Sequence, residues 1–126
     1  MLADQITKDT IGTMVNHFYR RVLKDDLVGP YFIMHLGDDI DNELWEAHLK
    51  LLVDFWASIV LGDTSYKRNP FSPHILMDDL SAEIFAQWLK LFFETLDKTY
   101  EPQIADIFKA KSATIAGNFM RDLGLV

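Results

Sequence analysis

The side chains best suited to chemistry near neutral pH are four histidines, in a chain of 126 residues that has no cysteine. Without thiols, disulfides, thiolate metal sites and covalent attachment of a prosthetic group through a C-x-x-C-H motif are all excluded. A buried imidazole must either ligate a metal or satisfy its ring nitrogens by hydrogen bonding. On a wheel advancing about 100° per residue, His48 falls within an apolar arc shared by Leu44, Trp45, Leu52, Phe55, Trp56 and Ile59. It reads either as a satisfied core group or as a residue facing a ligand. The same two readings apply to His74, which follows Ser72-Pro73 and precedes the apolar run Ile75-Leu76-Met77. His17 falls beside the apolar stripe of its helix, and His35 falls in a turn next to Gly37-Asp38-Asp39, so both read as solvated. No H-x-x-x-H or E-x-x-H pair occurs, which argues against a metal site built on one helix face.

The elements that must position these residues are helices. Ile11, Met14, Val15, Phe18, Tyr19 and Val22 recur at i, i+3, i+4, i+7, i+8 and i+11, with Thr7 as N-cap. Gly29-Pro30 then opens a short helix through Phe32. A long helix is expected from Asn42 to Leu61, with Asp41 as its N-cap and Gly62 as its terminator. Another runs from Ser81 to Thr99, and a last one from Pro102 to before Gly124, burying Ile104, Phe108, Ile115 and Phe119. No segment alternates long enough to be a strand, so the fold class is all-α, in a single domain spanning residues 1–126. Residues 62–73 form the one long irregular connection, and it leads into His74. Tyr19 and Trp88 lie on the apolar faces of two different helices. Should both faces converge on His48, three polar groups would surround one point in an apolar cavity.

Bulk composition narrows the function classes. Aromatic residues make up 13% of the chain, more than packing alone usually demands, and read either as a Phe-rich core or as a pocket for a large, flat, apolar ligand. The formal charge of −7 excludes a phosphate-backbone footprint and therefore nucleic acid as a partner. The first residues lack the basic-then-apolar pattern of a signal peptide, and no apolar run reaches the length of a membrane span, so a cytoplasmic location is expected.

Ordered landmarks run along nearly the whole chain: Phe18-Tyr19, Gly29-Pro30-Tyr31-Phe32, Trp45-Glu46-Ala47-His48, Phe55-Trp56, Leu61-Gly62, Pro73-His74 and Trp88-Leu89-Lys90-Leu91-Phe92. In that order and spacing the chain resembles the group III truncated haemoglobins of bacteria. The glycine-glycine motifs of the sister groups are absent. The resemblance implies a two-over-two helical sandwich holding non-covalent haem b, with His74 as the proximal iron ligand. It further implies that Phe32 packs on the porphyrin and that Leu52, Phe55 and Trp56 line the pocket. Tyr19, His48 and Trp88 become the polar residues of the opposite, distal side. Tyr66, Lys67 and Arg68, in the long connection, are suitable partners for the haem propionates, and equally suit a solvated loop.

The function implied is binding of a diatomic gas (dioxygen, nitric oxide or carbon monoxide), with Tyr19 O–H and Trp88 N–H stabilising partly anionic dioxygen. Tight retention makes a poor carrier, so nitric oxide oxidation or peroxide turnover, served by an unidentified reductase, competes with oxygen handling. The alternative class is a haem-free globin-like domain for sensing or protein interaction. Retention of His74 together with a polar distal set argues against it. The residues leave the oligomeric state open.

Overall fold

Thr7 starts the first helix because its hydroxyl accepts from the Thr10 N–H, 3.1 Å away, while Thr10 Oγ1 accepts in return from the Thr7 N–H at 3.0 Å. The computed structural model describes residues 2–62 and 81–125, and among them five α-helices: α1 (Lys8–Val22), α2 (Gly29–Leu36), α3 (Glu43–Leu61), α4 (Ala82–Thr99) and α5 (Pro102–Asp122). The six expected core positions of α1 are all buried. Ser81 caps α4 through the Ile84 N–H, and Gly62 ends α3 at φ 70°, a left-handed conformation that suits glycine.

Three expectations need correction. The helix opened by Gly29-Pro30 continues to Leu36, so His35 lies in its last turn and not in the turn beyond it. The N-cap of α3 is Asn42, not Asp41, because an amide can use both ends. Asn42 Oδ1 accepts from the Trp45 N–H while Nδ2 donates to the Leu36 carbonyl, each at 2.8 Å, fastening the start of α3 to the end of α2. A carboxylate at 42 could not make the second bond. On α5 the buried line is Ala105, Phe108, Ser112 and Ala116, with Ile104, Ile115 and Phe119 on its flanks. Small side chains at the centre of that line let α5 approach its neighbours closely.

Helices α1 and α3 form one layer and α4 and α5 the other, with α1 also crossing α4 and α5 touching α3. Partners run in opposite directions within each layer. Lys8 meets Asp54 while Arg20 meets Asp41 across α1 and the approach to α3, and Lys109 meets Asp97 while Phe119 meets Phe85 across α4 and α5. Between the layers Phe18, Trp56, Phe92 and Phe108 form an aromatic core, in which Trp56 and Trp88 both stack on Phe92 with centroids 5.2 Å apart. Each such ring contributes about 1.5–3 kcal/mol on burial, more than any exposed ion pair here. The Tyr100 hydroxyl donates to Thr10 Oγ1 at 3.0 Å, pinning the end of α4 to the start of α1.

Candidate functional site

Where the wheel of α3 turns away from the core, its apolar surface continues. Trp45, Trp56 and Ala57 are buried between the layers, whereas His48, Leu52, Phe55 and Ile59 are only partly buried and Leu44 is 60% exposed. His48 thus sits on the flank of the helix and not at its core-facing centre. Leu52, Phe55 and Ile59 follow it at helical spacing, giving a part-covered apolar stripe that starts from an imidazole whose Nε2 is buried.

Helices α1 and α2 close the histidine end of that stripe. Tyr19 comes from α1 with its ring centroid 5.6 Å from those of both Trp45 and His48. Phe32 comes from α2, 5.3 Å from Tyr19 and 6.2 Å from His48. Trp45 is held in turn by its own indole, which donates to the Gly37 carbonyl at 2.8 Å. From α4, Trp88 comes close enough to the Tyr19 hydroxyl for its side chain to favour the ionised phenol. The indole N–H can only donate, so toward the phenol oxygen it would leave the phenol's own O–H proton for a second bond. Burial pushes the Tyr19 pKa far above the ordinary tyrosine range, and Trp88 offsets only part of this, so the phenol stays protonated at any physiological pH.

Tyr19, Phe32, His48 and Trp88, which the family resemblance assigned to one pocket, are therefore brought together, with Leu52 and Phe55 continuing along α3. Trp56 faces the interlayer core instead, stacked on Phe92 and edge-on to Phe55. His17 and His35 are exposed, as read from the sequence. His74, Tyr66, Lys67 and Arg68 lie outside the described residues. Among the described residues no three His, Asp or Glu side chains are grouped to hold a metal ion.

The sequence reading missed Asp25 and Gln87. The Asp25 carboxylate accepts from the Val28 and Leu27 N–H groups at 2.8 and 3.1 Å and from Gln87 Nε2 at 2.8 Å. Burial works to raise its pKa, but these donors and the charge of Lys90 together hold it below the usual carboxylate range. The contact fixes the α1–α2 corner to α4 one residue before Trp88. The Asp25-Asp26 pair before Gly29-Pro30 was the only signal of it, and an Asp that accepts from the N–H groups two and three residues on is a common turn former.

Two antiparallel helical layers around an aromatic core, with Tyr19, Phe32, His48 and Trp88 gathered at one end of the apolar flank of α3, define a two-over-two globin. The chain is 30% identical over 123 residues to the group 3 truncated hemoglobin ctb of Campylobacter jejuni, covering 98% of this chain and 95% of that protein. The crystal structure of the group III truncated hemoglobin from Campylobacter jejuni matches this fold with a TM-score of 0.91 at 30% identity, across 98% of this chain and 95% of that one. No sequence-family model matches the chain. This chain belongs to the group III truncated haemoglobins. The family implies a haem cofactor, and the residues present fit one: a part-covered apolar stripe suits a flat macrocycle, and the buried Tyr19 phenol with Trp88 near it suits a small polar ligand.

Proposed function

We propose that this protein holds haem b non-covalently, with His74 as proximal iron ligand, and binds a diatomic gas on the side lined by Tyr19, His48 and Trp88. The observation that supports this reading best is the convergence of Phe32, His48 and Trp88 on the buried Tyr19 phenol beside the apolar stripe of α3. When bound, haem would supply an iron atom able to take dioxygen, nitric oxide or carbon monoxide. Phe32, Leu52 and Phe55 provide apolar contact for the macrocycle, Trp56 backs them from the core, and Tyr66 and Arg68 take the propionates.

In this mechanism Tyr19 donates and Trp88 orients. The indole N–H fixes the phenol oxygen, so the phenol O–H is aimed before a ligand arrives and little orientational freedom is lost on binding. Because the phenol is held neutral, it donates to partial negative charge without adding a repelling charge of its own. His48, at the junction of stripe and polar pair, controls which polar groups reach the ligand.

Haem titration of variant apo-proteins, followed by the Soret band, tests the assignment of His74. His74→Ala should abolish tight binding, with partial recovery on adding imidazole, while His17→Ala and His35→Ala should bind as the parent does. Unchanged affinity in His74→Ala would overturn the proximal assignment. Acid-acetone extraction should carry the chromophore into the organic phase, since the chain has no cysteine to form a thioether.

A further inference from the structure

On the far side of α1 from Phe32 and His48, a surface cleft of about 330 Å³ runs between α1 and α4, lined by His17, Arg20, Arg21, Thr95, Lys98 and Thr99. In a chain with 19 acidic residues against 12 basic ones, two guanidinium groups and an ammonium group on one cleft are a local reversal of charge. We propose that this cleft is a binding site for a compact phosphate-class anion.

The side chains of the cleft divide by role. The Thr95 and Thr99 hydroxyls donate to the helix carbonyls of Leu91 and Thr95, at 2.9 and 2.8 Å, so they form walls and leave donation to the cations. Lys98 takes part in no ion pair among the described residues. Arg20 spends Nε on Asn16 and reaches Asp41 at 3.5 Å, and Arg21 reaches Glu94 at 4.0 Å. Both carboxylate partners are well exposed, and exposed pairs of this kind hold weakly, so the guanidinium groups keep N–H donors and charge for a ligand. Asp97, next to Lys98, is engaged by Lys109 at 2.7 Å.

Donors approach from both walls, Arg20 and Arg21 from α1 and Lys98 from α4. A tetrahedral oxyanion can accept from both at once, whereas a planar carboxylate fills its two oxygens on one arginine fork. The cleft involves neither His74 nor any pocket residue, so the site stands whether or not the haem assignment does.

Isothermal titration of the protein as purified, at fixed ionic strength, with inorganic pyrophosphate and with acetate as the planar control, tests the site. One saturable pyrophosphate site per chain is expected, with acetate giving no saturable signal. Lys98→Gln and Arg21→Gln should each raise Kd by about tenfold, the loss of one charge-assisted donor. Lys111→Gln, an exposed lysine on α5, should leave it unchanged. Adenosine diphosphate binding as tightly as pyrophosphate would assign the site to the terminal group of a larger molecule, and weaker binding would assign it to the free anion. Absence of saturable binding, or equal weakening by Lys111→Gln, would overturn the proposal.

Discussion

At the scale of single residues, the pocket depends on an order of donation. In the proposed arrangement Trp88 gives its N–H to Tyr19, so the two side chains act in series. Tyr19→Phe should raise the dioxygen off-rate by about ten- to a hundredfold, the loss of one hydrogen bond to a partly charged acceptor. Trp88→Phe should give a smaller increase, because it removes only the group that orients the donor. The double variant should be no faster than Tyr19→Phe alone, since the residues are coupled through one bond. Stopped-flow dissociation of dioxygen and carbon monoxide checks this, with carbon monoxide responding weakly because it carries less negative charge. Equal acceleration of both gases would mean that access, and not hydrogen bonding, had changed. The residue types of this site were legible early, because Tyr19, His48 and Trp88 are polar groups on apolar faces. Their order of donation was not, since it depends on how α1 and α4 cross.

At the scale of elements, periodicity located all five described helices, because each buries one face and most carry a capping side chain at the expected end. What escaped the sequence was what one element does to the next. Asn42 outcompetes Asp41 as the cap of α3 only because the Leu36 carbonyl is within reach of its amide. The same limit applies to the α1–α2 corner. A methyl group on Gly29 would lie 2.8 Å from the Val22 carbonyl oxygen and 3.3 Å from that of Leu23, both rigid backbone. Gly29→Ala should therefore push α2 away from the end of α1, at a cost of about 1–3 kcal/mol. Phe32 and Tyr19 sit on either side of that corner, so the haem-loaded variant should also lose dioxygen faster. Chemical denaturation and off-rates on one preparation measure both effects. Gly12→Ala, where a methyl meets nothing within 4 Å, is the control and should not destabilise.

At the scale of the whole molecule, two buried phenols govern behaviour in alkali. Burial raises the pKa of Tyr19 and of Tyr100, against the lowering effect of Trp88 and of the Thr10 hydrogen bond. An unfolded chain ionises its tyrosines at about pH 10, while the folded one keeps these two protonated. The folded state then binds more protons than the unfolded state, so stability is complete below pH 10 and falls as pH rises beyond it. Each phenol still protonated in the fold contributes a slope of about 1.4 kcal/mol per pH unit. Tyr19→Phe and Tyr100→Phe should each flatten the alkaline limb of a denaturation series, and an unchanged limb in both would count against this account. Nothing in the spacing of residues marked Tyr100 as buried, because its environment is assembled from α1 and α5 across the fold.

The short backbone clasp at the start of the chain has a consequence in time. The Ala3 N–H donates to the Thr99 carbonyl, and the Ala3 carbonyl accepts from the Glu101 N–H, both at 2.9 Å. Helix formation and the pairing of α4 with α5 across two residues are local events, completed in microseconds or less for isolated elements. The clasp instead closes a loop of roughly a hundred residues, whose entropic cost grows with length and is recovered only when α1 and α4 are already in place. It should therefore be among the last contacts made during folding and among the first released by local opening, and protection of the Glu101 amide from hydrogen exchange would report how often the two layers part at that end.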